Sequence, residues 1–126
     1  MGEKDIITEA LSSAGLSYLG DAVFELLVRV MLVSQSLSLG EYNRRAKTFV
    51  SAKAQAAAAR LLLPRLGANE LAVFKRGRNT HANSPPRGAA PEEYHAATGL
   101  EALFGYLYLS GQTQRLAELF DLIKEL

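Results

Sequence analysis

A long apolar run without helix breakers constrains the fold of this chain more than any other feature. Between Leu16 and Val33 hydrophobic residues recur at intervals of three and four, and the run contains no proline and no turn cluster. That period is typical of an α-helix, so the run predicts one long and largely buried helix. Its apolar positions are Leu16, Leu19, Val23, Leu26, Leu27 and Val30.

The other segments also follow the helical period. Residues 6–11 predict a short helix before the long one, and the alanine-rich residues 41–63 predict one unbroken helix up to Pro64. Asn69 is expected to cap a further helix that ends at Gly77. Gly111 is expected to separate the last two helices. The inward positions expected in the first of these two are Leu100, Leu103, Phe104, Leu107 and Tyr108.

No segment shows the alternation of a β-strand, so the sequence predicts an all-α fold of about six helices. A length of 126 residues with 48% hydrophobic content suits one core, and we expect a single domain over residues 1–126. The chain contains no cysteine, which excludes disulfides, thiol nucleophiles and thiolate metal sites. The charged N-terminus and the interrupted apolar runs indicate a cytoplasmic protein without a signal peptide or membrane span.

Charge is distributed unevenly along the chain, although its net value is only +1. The stretch from Arg44 to Arg87 contains ten basic residues and one acidic residue, whereas both ends are acidic. A basic middle beside acidic segments is typical of a surface that binds a polyanion. The same charges would also suit a helix face that is simply solvated. The basic stretch runs into a connection over residues 80–91, rich in Pro, Gly, Ser and Asn, whose length indicates a functional loop.

Two carboxylates stand inside otherwise apolar helical segments. Asp21 lies within the long helix and Glu101 within the run GLEALFGYLYL. An ionised carboxylate in such surroundings is costly unless it is paired or bound to a metal, so the two predict one shared site. Each has a simpler interpretation: Asp21 as an exposed or salt-bridged residue, and Glu101 as the last member of a capping box that begins at Thr98. Glu25 could support Asp21 through water, but a surface charge is the simpler interpretation.

These segments resemble the ribonuclease III family. The run LSYLGDAVFE resembles the first acidic motif of that family, and GLEALFGYLYLSG resembles the second. The intervening RRAKTFVSAKAQAA and KRGRN, together with the loop that follows, resemble the mini-ribonuclease III subfamily, so the resemblance covers nearly the whole chain. That subfamily consists of the nuclease domain alone, which implies that no double-stranded RNA-binding domain is present.

The resemblance implies a helical homodimer that hydrolyses double-stranded RNA with magnesium (Mg²⁺). Asp21 matches the Asp of the first motif and Glu101 the Glu of the second, and both are implied to be catalytic metal ligands. Two further acidic positions of the larger ribonuclease III enzymes are Ser17 and Thr98 here, which leaves the number of metal ions open. The implied substrate is the large-subunit (23S) ribosomal RNA precursor, and the sequence does not decide whether a ribosomal protein takes part.

Substrate binding is expected from the basic middle of the chain. A-form RNA is recognised mostly through its shape, phosphates and 2′-hydroxyl groups, for which lysine, arginine and polar side chains are suited. The candidate substrate-binding residues are Lys53, Lys75, Arg76, Arg78, Asn79 and Arg87.

Two other functions would use the same helices. The first is a catalytically silent module that binds structured RNA, in which the two carboxylates are merely structural. The second is a helical scaffold without a nucleic-acid role, which leaves the basic segment and the loop unexplained. Metal-dependent cleavage of RNA separates the nuclease from both.

Overall fold

The computed structural model describes residues 12–80, 88 and 90–126. Within these ranges the chain forms six α-helices and one short 3₁₀ helix and contains no strand, which confirms the all-α prediction. The short helix expected over residues 6–11 lies outside the described residues. The helices are α1 (Ser13–Val33), α2 (Leu39–Val50), α3 (Ala52–Leu62), the 3₁₀ helix (Leu63–Arg65), α4 (Ala68–Arg78), α5 (Pro91–Leu109) and α6 (Thr113–Lys124).

The alanine-rich run forms two helices, so the single helix expected over residues 41–63 is wrong. Ser51 has an extended backbone (φ −64°, ψ 154°), and its hydroxyl accepts a hydrogen bond of 3.2 Å from the amide of Ala54. The break lets the two parts pack on different partners, since α2 lies against α1 whereas α3 lies against α5. Serine is a common N-cap residue, but one serine within a run of strong helix formers does not by itself predict that the helix breaks there.

The helix expected to be capped by Asn69 begins two residues earlier, at Ala68, and continues to Arg78. Its N-cap is Gly67, whose amide donates a hydrogen bond of 2.8 Å to the carboxylate of Glu70. The reason is that Glu70, at the third helical position, satisfies a free amide of the first turn. A side chain on the cap residue is therefore not needed.

Glu70 also joins α4 to α6 through an ion pair with Arg115. The guanidinium donates two hydrogen bonds of 2.8 and 2.9 Å to the carboxylate. It donates a third, of 2.9 Å, to the carbonyl of Arg65. The bonds from Arg115 hold the pKa of the largely buried Glu70 below its ordinary value.

Helices α1 and α5 form the centre of the fold and pack against each other more extensively than any other pair. Phe24 of α1 lies at this contact, with its ring 5.4 Å from that of Phe104 and 5.8 Å from that of Phe120 in α6. Gly111 separates the last two helices as expected. It has a φ of 75°, which favours glycine, and the next amide donates to the carbonyl of Leu107 at 2.9 Å.

Three residues expected to face the core are exposed instead. Leu26 and Val30 of α1 are 57% and 59% exposed, and Tyr108 of α5 is 50% exposed. The other expected core positions of the two central helices are buried or half-buried. The apolar stripe of α1 is thus wider than the face that its neighbours cover. In the described part of the chain, no helix has the length and apolar character needed to cross a membrane.

Candidate active site

The two central helices approach each other most closely where glycine removes the side chain. A Cβ atom added at Gly20 would lie 1.6 Å from the carbonyl oxygen of Glu101, and one at Gly105 would lie 2.1 Å from that of Leu16. Any larger residue at either position would force the helices apart. Because Asp21 directly follows Gly20, this close approach places its side chain beside that of Glu101.

Asp21 and Glu101 share a side-chain hydrogen bond at this crossing. Asp21 is exposed, whereas Glu101 is half-buried beneath it. Burial, and after it the negative charge of Asp21, raise the pKa of Glu101 to about 8. Glu101 therefore keeps its proton at neutral pH and donates it to the hydrogen bond with Asp21. The structure thus brings together the two carboxylates that the sequence predicted to share a site.

Gln55 of α3 is a third polar group at this point, and it was not predicted from the sequence. Its side chain is only 3% exposed, and it forms a hydrogen bond with Glu101 that opposes the rise in the pKa of that carboxyl. An amide N–H that donates to a carboxylate oxygen favours the ionised form in this way. The signal in the sequence is a single glutamine among alanines, in AKAQAAAA.

The three side chains line an open cleft with a volume of about 410 Å³. Helices α1, α3 and α5 form its walls, and Thr80, which follows α4, completes the lining. Side chains with hydroxyl groups share the lining with the apolar residues Ala14, Val50, Ala52 and Ala97, and the cleft is open to solvent. The further polar residues of the lining are Ser17, Tyr18, Thr80, Tyr94 and Thr98.

The donor atoms of the cleft fit a hard divalent cation. Mg²⁺ prefers oxygen ligands and usually keeps several of its waters, so one or two carboxylates can hold it. The two carboxyls lie side by side, and the pKa of Glu101 is raised by burial and because a second negative charge beside Asp21 is unfavourable. A bound cation would supply the positive charge that lets both carboxyls ionise. No group of three or more His, Cys, Asp or Glu side chains is placed to hold a metal in the described ranges. Water and a substrate phosphate would therefore have to complete the shell of such an ion.

The capping-box interpretation of Glu101 is wrong, whereas the surface-charge interpretation of Glu25 agrees with the structure. Thr98 lies inside α5 and donates its hydroxyl to the carbonyl of Tyr94 at 3.0 Å, so it does not begin a capping box with Glu101. Glu25 does not line the cleft and forms an exposed ion pair of 2.8 Å with Arg29.

The basic candidate residues lie on two helices that border the cleft. Lys53 is exposed in the first turn of α3, two residues before Gln55. Lys75 and Arg76 are exposed in the last turn of α4, which ends two residues before Thr80 of the cleft. These exposed positive charges are close along the chain to Gln55 and Thr80, which line the cleft.

Arg78 and Asn79 lie at the end of α4 and contact each other. The guanidinium of Arg78 is 5.9 Å from the ring centre of Phe74, and its Nε donates to the side chain of Asn79 at 3.3 Å. Arg87 lies outside the described residues, as does most of the loop over residues 80–91.

Comparisons with known proteins agree with this arrangement. Residues 14–112 match the ribonuclease III domain family. The chain is 46% identical over 107 residues to the Mini-ribonuclease 3 of Symbiobacterium thermophilum, a match that covers 84% of this chain and 82% of the relative. It is 47% identical over 116 residues to the Mini-ribonuclease 3 of a Synechocystis species, covering 92% of this chain and 80% of the relative.

A solved structure shows the same fold. The crystal structure of a Fusobacterium nucleatum protein superposes with a TM-score of 0.82 at 29% sequence identity. The superposition covers 87% of this chain and 85% of that protein. The family match includes both acidic motif segments. It also includes Gly20 and Gly105, the two glycines at the close contact of α1 and α5. The chain therefore belongs to the ribonuclease III family of endoribonucleases.

Proposed function

We propose that this chain hydrolyses phosphodiester bonds of double-stranded RNA with Mg²⁺ held by Asp21 and Glu101. The observation that carries the proposal is the contact between these two carboxyls at the centre of an open cleft. In the metal-free protein a hydrogen bond joins the protonated Glu101 to Asp21, and a bound cation would offset the charge of the pair once both groups are ionised.

The two carboxylates have different tasks in this proposal. Asp21 is exposed and would hold the ion on the side open to substrate, and the half-buried Glu101 would be its second carboxylate ligand. Glu101 must release its proton when the ion binds, since a metal ligand has to be ionised. Mg²⁺, when bound, lowers the pKa of a water and offsets the charge that develops on the phosphate. Neither carboxylate then needs to act as a general acid or base.

RNA binding is proposed for the basic residues beside the cleft. Lys53, Lys75 and Arg76 are exposed and close along the chain to residues that line it, and they would contact the phosphates of a duplex that lies across the carboxylates. Arg78 and Asn79 continue the same surface. Arg87 remains a candidate from the sequence.

A homodimer is proposed from the exposed face of α1. The apolar residues Tyr18, Leu26, Val30 and Val33 are 85%, 57%, 59% and 68% exposed and recur at helical spacing. Leu39, which begins α2 and follows Val33 closely in the sequence, is 76% exposed. A contiguous apolar face of this kind typically marks an interface. Leu26→Glu should shift the protein from dimer to monomer in sedimentation equilibrium, and an unchanged mass would contradict this face as the interface.

The cellular role proposed is maturation of the large-subunit (23S) ribosomal RNA precursor in the cytoplasm. It rests on the resemblance of the sequence to the mini-ribonuclease III subfamily and not on any residue of the cleft. Residues 1–126 would act as a single nuclease domain. A ribosomal protein could present the substrate, and the chain's own surface does not require one.

The test is cleavage of a labelled perfect RNA duplex by purified protein with Mg²⁺ or with EDTA. We expect cleavage in Mg²⁺ alone, lost in Asp21→Asn and Glu101→Gln, with duplex binding retained in both variants. Glu25→Gln is the matched control, since it removes an exposed carboxylate of the same helix outside the cleft. Duplex binding without cleavage in any metal would refute the nuclease and favour an RNA-binding module.

A further inference from the structure

Only two polar side chains are buried among the described residues, Gln55 and Glu70. Glu70 is explained by its ion pair with Arg115, which stabilises the fold far from the cleft. Gln55 takes part in no ion pair among the described residues, and its side-chain partner, Glu101, belongs to the cleft. Gln55 is 3% exposed, lines the cleft and contacts Glu101 through a hydrogen bond.

The fold by itself does not require an amide at this position. The neighbouring inward positions of α3 are Ala56, Ala58 and Ala59, which are buried and apolar. Burying an amide is unfavourable unless its polar atoms find hydrogen bonds. The hydrogen-bond partner that the cleft offers to the amide of Gln55 is the carboxyl of Glu101. An apolar residue would pack here with less risk to stability.

We propose that Gln55 is a positioning residue, whose amide donates a hydrogen bond to the carboxylate of Glu101 and holds it toward Asp21 for the cation. The proposal deepens the function proposed above and rests on it. A glutamate side chain has several rotatable bonds, so a fixed donor on one oxygen leaves the other oriented for an ion. The break at Ser51 is part of this arrangement, because it lets α3 pack on α5 and turn Gln55 toward Glu101.

The experiment compares Gln55→Met with the wild type and with Gln114→Met. Methionine has the length and flexibility of glutamine but cannot donate the hydrogen bond, and Gln114 is an exposed glutamine that does not line the cleft. Binding of Mn²⁺ alone is measured by calorimetry, cleavage of an RNA duplex gives kcat and KM, and thermal unfolding is followed in EDTA. Mn²⁺ is a suitable probe because it also prefers carboxylate oxygens.

We expect Gln55→Met to weaken Mn²⁺ binding by about 10- to 100-fold, as is usual when a hydrogen bond to a metal ligand is lost. The kcat at limiting metal should fall by a similar factor, KM for the duplex should stay unchanged, and Tm in EDTA should stay close to that of the wild type. Gln114→Met should behave as the wild type in every measurement. Excess metal should restore much of the activity of Gln55→Met.

Two results would overturn the inference. The first is Mn²⁺ affinity and kcat equal to the wild type, and the second is a lowered Tm with unchanged Mn²⁺ affinity, which would make Gln55 purely structural. Gln55→Leu, a second apolar replacement, takes the same measurements if the methionine variant does not fold. Failure of the function itself looks different, because the wild type would then neither bind Mn²⁺ nor cut the duplex.

Discussion

Glu101→Gln should stabilise the metal-free protein at alkaline pH, although it removes a proposed catalytic residue. The pKa of Glu101 is raised from 4.5 to about 8 in the folded state, first by burial and then by the charge of Asp21. A raised carboxyl pKa means that the folded state favours the protonated form. Its contribution to stability is therefore complete below about pH 4.5 and is lost as the pH rises through about 8. Glutamine stays neutral and can keep both hydrogen bonds.

The magnitude follows from the difference between the two pKa values. The step from 4.5 to about 8 would correspond to at most ~5 kcal/mol of unfolding free energy, since each pH unit is about 1.4 kcal/mol. Water in the open cleft and small side-chain movements reduce this, so we expect ~1–3 kcal/mol at pH 9. For a domain of this size that is a rise in Tm of roughly 4–12 °C.

The assay is thermal unfolding in EDTA between pH 5 and pH 9, with Glu25→Gln as an exposed carboxylate control. The difference in Tm between Glu101→Gln and the wild type should be small at pH 5 and grow steadily toward pH 9, while the control stays close to the wild type. Added Mg²⁺ should raise the Tm of the wild type and leave Glu101→Gln nearly unchanged, because only the wild type retains both ligands. Equal Tm values at pH 9, or a difference that does not change with pH, would refute the reasoning.

Three further predictions follow from the packing and the charges. Gly20→Ala should destabilise the fold by about 3 kcal/mol or more in urea unfolding and abolish cleavage, because its Cβ would overlap the backbone of α5. Gly40→Ala is the control: nothing lies within 4 Å of its Cβ, so this variant should be neutral or stabilised. Glu70→Gln should cost ~1–3 kcal/mol at pH 7 because it removes the less exposed of the two carboxylates that pair with Arg115. Because the pKa of Glu70 is lowered from 4.5, this difference should fade as the pH falls below that value, and a pH-independent difference would contradict the ion-pair explanation. Lys75→Ala should weaken duplex binding and reduce the slope of log K against log salt concentration by about one phosphate contact. An unchanged slope would show that Lys75 does not contact the RNA.

Much of the fold and the two proposed catalytic residues could be predicted from the sequence. The helical period of the apolar residues is a local property, so it indicated the all-α fold and the long helices. Asp21 and Glu101 were recognisable because ionised side chains are rare in such apolar segments. Gly20, beside Asp21, belongs to the same motif. Only the structure shows that α1 and α5 come into close contact at this glycine.

The rest depended on which surfaces of the helices meet. Leu26 and Val30 continue the apolar pattern of α1, yet they are exposed, because the pattern shows how wide the apolar face is and not how much of it the neighbouring helices cover. Ser51 divides the alanine-rich run because α2 and α3 pack on different helices, a preference that no residue near Ser51 encodes alone.

Gln55 shows the same limit at the site itself. In the sequence it is one amide among alanines, and only the packing of α3 on α5 buries it beside Glu101. The raised pKa of Glu101 likewise belongs to no single segment, since it arises from burial by several helices and from a carboxylate eighty positions earlier in the chain. Local sequence determined which residues could form helices and carry charge, whereas the tertiary structure decided which of them share one low-dielectric cleft, because desolvation and Coulomb interactions depend on distance in space.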